Sequence, residues 1–145
     1  MPDELQVTRL TEPTPADSEV IRAGLVAYNL ATLGPTEHFP VVFHLLGEDG
    51  VFLGGLTGDV WLNQLTIDFF WLDESLRGEG HGYRLLQQAE EYAAECGATI
   101  ARLDTSDFQV GPRYYERQGY EVFGVVGEPP ERQSFFMQKR LVSSA

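Results

Sequence analysis

The sequence predicts an α/β fold, a sheet made mostly of hairpins with one parallel crossover at its centre. Three observations lead there. Alternating or apolar runs recur with turn residues between them, and one strongly amphipathic helix separates two such runs. The 145 residues, 43% hydrophobic and 12% aromatic, suffice for one domain with its own core. Residues 1–145 are expected to form that single domain, because no repeat, low-complexity tract or long linker divides them.

Taken in order, residues 5–10 alternate as a half-buried strand does. Thr14-Pro15-Ala16-Asp17 reads as a helix start: Thr14 as N-cap, Pro15 where no backbone donor is missed, Asp17 at the positive end of the dipole. Ile21, Leu25, Tyr28 and Thr32 keep helical spacing until Gly34-Pro35. Residues 40–46 and 51–57 predict a hairpin around Glu48-Asp49-Gly50, and Gly58-Asp59 is expected to turn the chain into a third strand, Gln64 to Leu72. In that strand Leu65, Ile67, Phe69 and Trp71 are expected on one face, with Thr66, Asp68, Phe70 and Leu72 on the other. Leu85, Leu86, Ala89, Ala93 and Cys96 form the stripe of a helix closed by Gly97. A strand at 99–104, a short helix near 112–118 and a closing pair at 120–126 and 133–141 complete the order β-α-β-β-β-α-β-α-β-β.

The net charge of -12, from 22 acidic and 10 basic residues, argues against an unaided binder of a nucleic-acid backbone. A negative field concentrates cations, which suits a cationic small substrate, and it equally suits mere solubility. The acidic start Met1-Pro2-Asp3-Glu4 and the lack of a long apolar run predict neither a secretion signal nor a membrane anchor. A lone cysteine, Cys96, suits a reducing cytoplasm, and its place on the helix stripe predicts packing, not nucleophilic chemistry. Three scattered histidines give no metal spacing, so no metal site is expected.

The chemistry is concentrated in Leu72-Asp73-Glu74-Ser75-Leu76-Arg77-Gly78-Glu79-Gly80-His81-Gly82, which joins a strand to the long helix. Three glycines clear side chains from a helix N-terminus, whose unpaired N–H groups attract phosphate or pyrophosphate. A phosphate loop of the Gly-Lys-Ser/Thr kind is excluded, since Tyr83-Arg84 follows Gly82. A dinucleotide fingerprint has different glycine spacing and starts directly after its strand, although Asp104 could imitate its acidic residue. A ligand-free turn is the plainest alternative.

Arg77-x-x-Gly80-x-Gly82, after Phe70-Trp71-Leu72 and before an amphipathic helix, resembles the pyrophosphate-binding signature of GNAT acyltransferases. Further along, Tyr114-Tyr115-Glu116-Arg117-Gln118-Gly119-Tyr120 resembles that family's Phe-Tyr-x-x-x-Gly-Phe/Tyr element. Asp104-Thr105-x-x-Phe108-Gln109 and Phe136-x-x-Lys139-Arg140-Leu141 resemble a subgroup of small bacterial members. The likeness runs from roughly Leu65 to Leu141 and is weak over the first 60 residues.

The resemblance implies a GNAT-like mixed sheet, mostly antiparallel, with a central parallel βαβ crossover and helices on both faces. It also implies direct transfer of an acetyl group from acetyl-CoA, as co-substrate, to a primary amine. The amides of Gly78, Glu79, Gly80, His81 and Gly82, with Arg77, would hold the pyrophosphate. Phe70, Trp71 and Leu72 would pair with the pantetheine arm, and an N–H among them would polarise the thioester carbonyl. Tyr115 is the expected acid for the departing thiol, its alternative being plain core packing. The stretch from Gln109 to Tyr115 is one residue longer than the family pattern, which leaves open whether Tyr114 or Tyr115 faces the cofactor.

An amine must lose a proton to attack, and Asp68, mid-strand near the thioester end, is the expected base, acting through water. A merely solvated Asp68 is the alternative, and Asp104, Glu37 and His38 are weaker candidates. His81 is expected to serve through its backbone, His44 as a strand residue and Trp71 by packing or shaping the cleft. The competing functions are a non-catalytic acyl-CoA-binding module, a protein N-terminal or lysine acetyltransferase, and a nucleotide binder. A homodimer is a habit of the family, with no interface legible in this sequence.

Overall fold

The computed structural model describes residues 4–141 and divides after Thr36 into two units. In the first unit the strand expected at 5–10 does not form, and residues 4–10 are irregular. Alternation marks a segment able to join a sheet, but a strand exists only where a neighbour takes its backbone groups. The expected helix does form, as α1 (Pro15–Leu33). The Asp17 carboxylate accepts from the Thr14 N–H at 2.7 Å and from its hydroxyl at 3.1 Å. Gly34, at φ 76°, ends the helix with its N–H on the Leu30 carbonyl at 2.9 Å.

The second unit contains β1 (His38–Leu46), β2 (Phe52–Trp61), β3 (Gln64–Leu72), α2 (His81–Glu95), β4 (Ile100–Ser106), α3 (Gly111–Glu116), β5 (Glu121–Val126) and β6 (Ser134–Arg140). The strands form one sheet in the order β1-β2-β3-β4-β6-β5. Every neighbouring pair is antiparallel except β3 and β4, which α2 connects as the expected parallel crossover. The mixed, mostly antiparallel fold class is therefore the one observed. The α2 stripe, Leu85, Leu86, Ala89 and Ala93, meets Val41, Leu56, Val60, Leu65 and Met137 in one core. None of the helices among the described residues is long and apolar enough to cross a membrane.

Two local expectations are corrected. Gly58-Asp59 does not turn the chain. Both residues pair on either side within β2, with Val41 and Pro40 and with Ile67 and Thr66, and the turn comes later at Leu62, which has φ 57°. Gly58 is a glycine for lack of room: a Cβ there would lie 2.5 Å from the Thr66 carbonyl oxygen.

The second correction concerns the faces of β3. Thr57 pairs with Phe69 while the next residue, Gly58, pairs with Ile67, so Asp68 is the extra residue of a β-bulge. The bulge reverses the alternation beyond it. Leu65 and Ile67 are buried, and beyond the bulge it is Phe70 and Leu72 that pack against the same core, while Phe69 and Trp71 are exposed.

Candidate active site

The parallel pairing of β3 and β4 is short. Gln64, Leu65 and Thr66 match Ile100, Ala101 and Arg102, and no further pair joins the two strands among the described residues. From Ile67 to Leu72, β3 stays paired to β2 on one side, and its edge toward β4 has no strand partner among the described residues. Such an edge can add an extended ligand as a further strand. The bulge residue Asp68 stands where the strands part, exposed to solvent.

The glycine loop continues directly from this edge. Asp73 caps a single 3₁₀ turn, accepting from the Ser75 N–H at 3.1 Å and from the Ser75 hydroxyl. Those Ser75 hydrogen bonds hold its carboxyl below the usual range. Arg77 folds back so that Nε and Nη2 donate to the Leu72 carbonyl at 3.2 and 3.1 Å. Its fork thus braces the loop against the strand end.

The three glycines of the loop answer different needs. Gly78 and Gly80 both have φ 84°, a left-handed conformation that L side chains resist, and a Cβ on either would meet only open space. Gly80 is the N-cap of α2, so the first N–H groups of that helix lack helical partners. Gly82 has ordinary φ but no room: a Cβ there would strike the Tyr114 hydroxyl and lie 3.1 Å from Leu72 Cδ1. The His81 ring lies 3.2 Å from Glu79 across the loop.

The aromatic pair lies beneath this cradle. The Tyr114 and Tyr115 rings stand 6.4 and 6.5 Å from Phe70 and meet edge-to-face at 5.1 Å. Tyr115 is 7% exposed and packs on Tyr120 at 5.9 Å. Burial, with a smaller push from Tyr114, raises its phenol to about 12. Tyr114, half-buried, is raised by burial as well, while Gln118 works in the opposite direction.

The structure therefore gathers Phe70, Leu72, Gly82, Tyr114 and Tyr115 around one end of the parted strands, with Asp68 farther along β3. Trp71 turns to the other face and stacks on Phe52 at 6.1 Å. Asp104 is exposed on β4, and His38 pairs with Asp59 at 2.8 Å near the opposite end of β3 from the glycine loop. Glu37 precedes β1, and His44 meets Phe52 edge-on at 5.0 Å. Cys96 packs against the core at the end of α2, as expected. The described residues contain no cluster with metal-ligand geometry.

One buried network escaped the sequence reading. Glu90, 8% exposed on the inner face of α2, accepts from the Tyr120 hydroxyl and from Lys139 Nζ, each at 2.7 Å. Burial and the neighbouring carboxylate push the Tyr120 phenol far up, and the Lys139 ammonium lies 5.6 Å from its ring centroid. The only signal was a glutamate on the apolar stripe, one turn after Leu86 and three residues before Ala93.

Residues 7–120 match the family model described as the Acetyltransferase (GNAT) family. The acetyltransferase Atu2258 of Agrobacterium fabrum is 33% identical over 133 residues, which cover 90% of this chain and 96% of that protein. The blasticidin-S acetyltransferase of Streptomyces morookaense is 38% identical over 97 residues, 66% of this chain and 71% of that one. A crystal structure of an acetyltransferase from Bacillus cereus superposes with a TM-score of 0.77 at 34% identity, covering 92% of this chain and 98% of that one. The unmatched β3 edge and the left-handed glycines at the start of α2 suit an extended ligand with a pyrophosphate, as acetyl-CoA is. This chain belongs to the GNAT family of N-acetyltransferases, enzymes that take their acetyl group from acetyl-CoA.

Proposed function

We propose that the chain moves the acetyl group directly to the amine of a small molecule, with no covalent acyl-enzyme. The observation that carries this reading is the parting of β3 from β4 beside the glycine loop, which leaves the edge of β3 from Ile67 to Leu72 without a strand partner among the described residues. Acetyl-CoA supplies an activated thioester carbonyl and a thiol leaving group. The amides of Gly78 to Gly82 bind the pyrophosphate, and Arg77 supports them by fixing the loop to Leu72. Backbone groups of Phe70, Trp71 and Leu72 pair with the pantetheine arm, and an N–H among them donates to the carbonyl oxygen as charge develops there.

Tyr115 donates to the departing sulfur. A phenol at about 12 is a weaker acid than a thiol near 8.5, so Tyr115 keeps its proton and stabilises the thiolate by hydrogen bonding. Its two-sided packing between Phe70 and Tyr120 supports Tyr115 over Tyr114 in this role. Asp68 takes the proton of the attacking amine through a water molecule, its exposure at the bulge leaving room for one.

A small-molecule acceptor is supported by the relative that acetylates blasticidin S, and a cationic one by the net charge of -12. The family match from 7 to 120 spans both units and supports one acyltransferase domain. A single cysteine supports a cytoplasmic setting. The first test is thermal unfolding with acetyl-CoA, CoA, NAD and ATP in parallel, followed by a panel of amines. A ligand at one hundred times its Kd adds about 2.7 kcal/mol. Stabilisation by acetyl-CoA and CoA alone is the expected result, and no shift with either refutes the cofactor site.

A further inference from the structure

On the sheet face turned away from α2, the β1–β2–β3 hairpins enclose an open cavity of about 170 Å³ that the transfer mechanism does not use. Its walls are Phe52, Phe69, Trp71 and His44, and Gly55 and Thr57 line it from β2. Phe52 and Trp71 stack at 6.1 Å with an interplanar angle of 18°, and the His44 ring stands on Phe52 at 73°. A side chain at Gly55 would come within 2.5 Å of the Phe43 carbonyl oxygen and 3.5 Å of His44 Cδ2, so the floor stays bare.

Two features mark this cavity as more than loose packing. Phe69 is 76% exposed, and Trp71 and Phe52 are each 51% exposed, an aromatic surface facing water on three adjacent positions. Thr57 Oγ1 is buried with no hydrogen-bond partner among the described residues, a cost that a native protein rarely carries without use. Both features arise at the bulge. Because Asp68 reverses the alternation, Phe69 and Trp71 face the cavity, and Phe69 pairs with Thr57 across the strands. The cavity thus adjoins, through β3, the edge at which acetyl transfer is placed.

We propose that this cavity is the acceptor subsite and that it takes the flat aromatic or heteroaromatic ring of an arylalkylamine. The inference rests on the transfer reading above for the fate of the amine, but not for the binding of the ring. The volume is close to that of a cavity of about 150 Å³ known to hold benzene, so there is room for one six-membered ring. Offset stacking on Phe52 and Trp71 and edge contact with His44 reward a ring over an alkyl chain. A short tether then spans the width of one strand, about 4.8 Å, to bring the amine to the bulge.

The test has two arms. In the first, kcat/KM for 2-phenylethylamine and for n-butylamine is measured for the wild type, Phe52→Leu and Phe52→Ala. A preference for the ring of at least about tenfold is expected in the wild type, equivalent to about 1.4 kcal/mol. Phe52→Ala should abolish it, lowering kcat/KM for 2-phenylethylamine at least about tenfold more than kcat/KM for n-butylamine, with Phe52→Leu between the two. Where both amines are acetylated, equal kcat/KM values, or an undiminished preference in Phe52→Ala, overturn the proposal. In the second arm N-acetyl-2-phenylethylamine, which cannot accept an acetyl group, is titrated against Trp71 fluorescence in a Trp61→Phe background without acetyl-CoA. Saturable quenching that Phe52→Ala weakens at least about tenfold supports the subsite even if no amine is acetylated, which would sink only the transfer reading. No quenching overturns the subsite even if transfer occurs.

Discussion

Replacing Lys139 by methionine tests the buried network that ties α2 to β6. Lys139 Nζ lies 2.7 Å from Glu90 Oε1, and the side chains retain 26% and 10% of their exposure. Removing the ammonium while keeping the stem leaves the Glu90 carboxylate, among the described residues, with one side-chain donor, the Tyr120 hydroxyl at 2.7 Å. Breaking a buried pair from one side costs about 3–5 kcal/mol, and the residual exposure of Lys139 argues for the lower end. Its contact with the Tyr120 ring adds about 0.5–1 kcal/mol.

For a chain of this size each kcal/mol lowers Tm by about 2–4 °C, so Lys139→Met should fall by about 7–14 °C. Thermal unfolding followed by circular dichroism, at matched pH and ionic strength, measures it. The triple variant Glu90→Leu, Tyr120→Phe, Lys139→Met should recover most of the loss, because a packed apolar cluster leaves no buried polar group unpaired and costs no more than a buried ion pair. Tyr120→Phe should cost only about 1.5–3 kcal/mol, since one hydrogen bond to a charged group is lost while its ring still supports Tyr115. If Lys139→Met unfolds within 2 °C of the wild type, the carboxylate is not held by that ammonium and the reasoning fails.

Three further outcomes are expected. Asp68→Asn should lower kcat by about 10²-fold at pH 7, within the range for general-base catalysis, and an unchanged pH–rate profile would remove Asp68 from the mechanism. Gly82→Ala should raise the KM for acetyl-CoA at least about tenfold, because its Cβ displaces the Tyr114 hydroxyl and Leu72 from the mouth of the cleft, and isothermal titration with CoA checks it without turnover. Tyr115→Phe should lower kcat while CoA affinity holds, and it should flatten the alkaline limb of stability. From pH 10 to about 12 the unfolded phenol releases a proton that the folded one keeps, so stability falls by up to about 2.7 kcal/mol in the wild type; urea titrations across that range read the difference.

Much of the fold was legible because its signals are local. Thr14, Asp17 and Gly34 bracket α1, and the stripe from Leu85 to Ala93 defines α2 against a polar face. The glycine loop was legible for the same reason, since left-handed φ at Gly78 and Gly80 restricts residue type directly. What failed depends on partners distant in sequence. Gly58 looks like a turn residue until the Thr66 carbonyl is set 2.5 Å from its absent Cβ. Glu90 looks like a solvated charge until Tyr120 and Lys139 arrive from thirty and forty-nine positions away.

The bulge at Asp68 shows why a strand pattern alone misplaces a site. Strict alternation puts Phe69 and Trp71 with Leu65 and Ile67, which would bury all four and leave Phe70 and Leu72 facing outward. One unpaired residue reverses that order: Phe70 and Leu72 pack beside the tyrosines, while Phe69 and Trp71 open a second surface on the other face. Nothing in Ile67-Asp68-Phe69-Phe70 demands the insertion. It is set by the register with β2, where Gly58 admits a backbone approach that any side chain would block. Gly58→Ala should therefore act on both faces at once, disturbing Phe70 beside the cleft and Phe69 in the aromatic cavity. A loss of CoA affinity together with a loss of ring binding is the expected pair of results; loss of one alone would mean that the bulge does not couple the two surfaces.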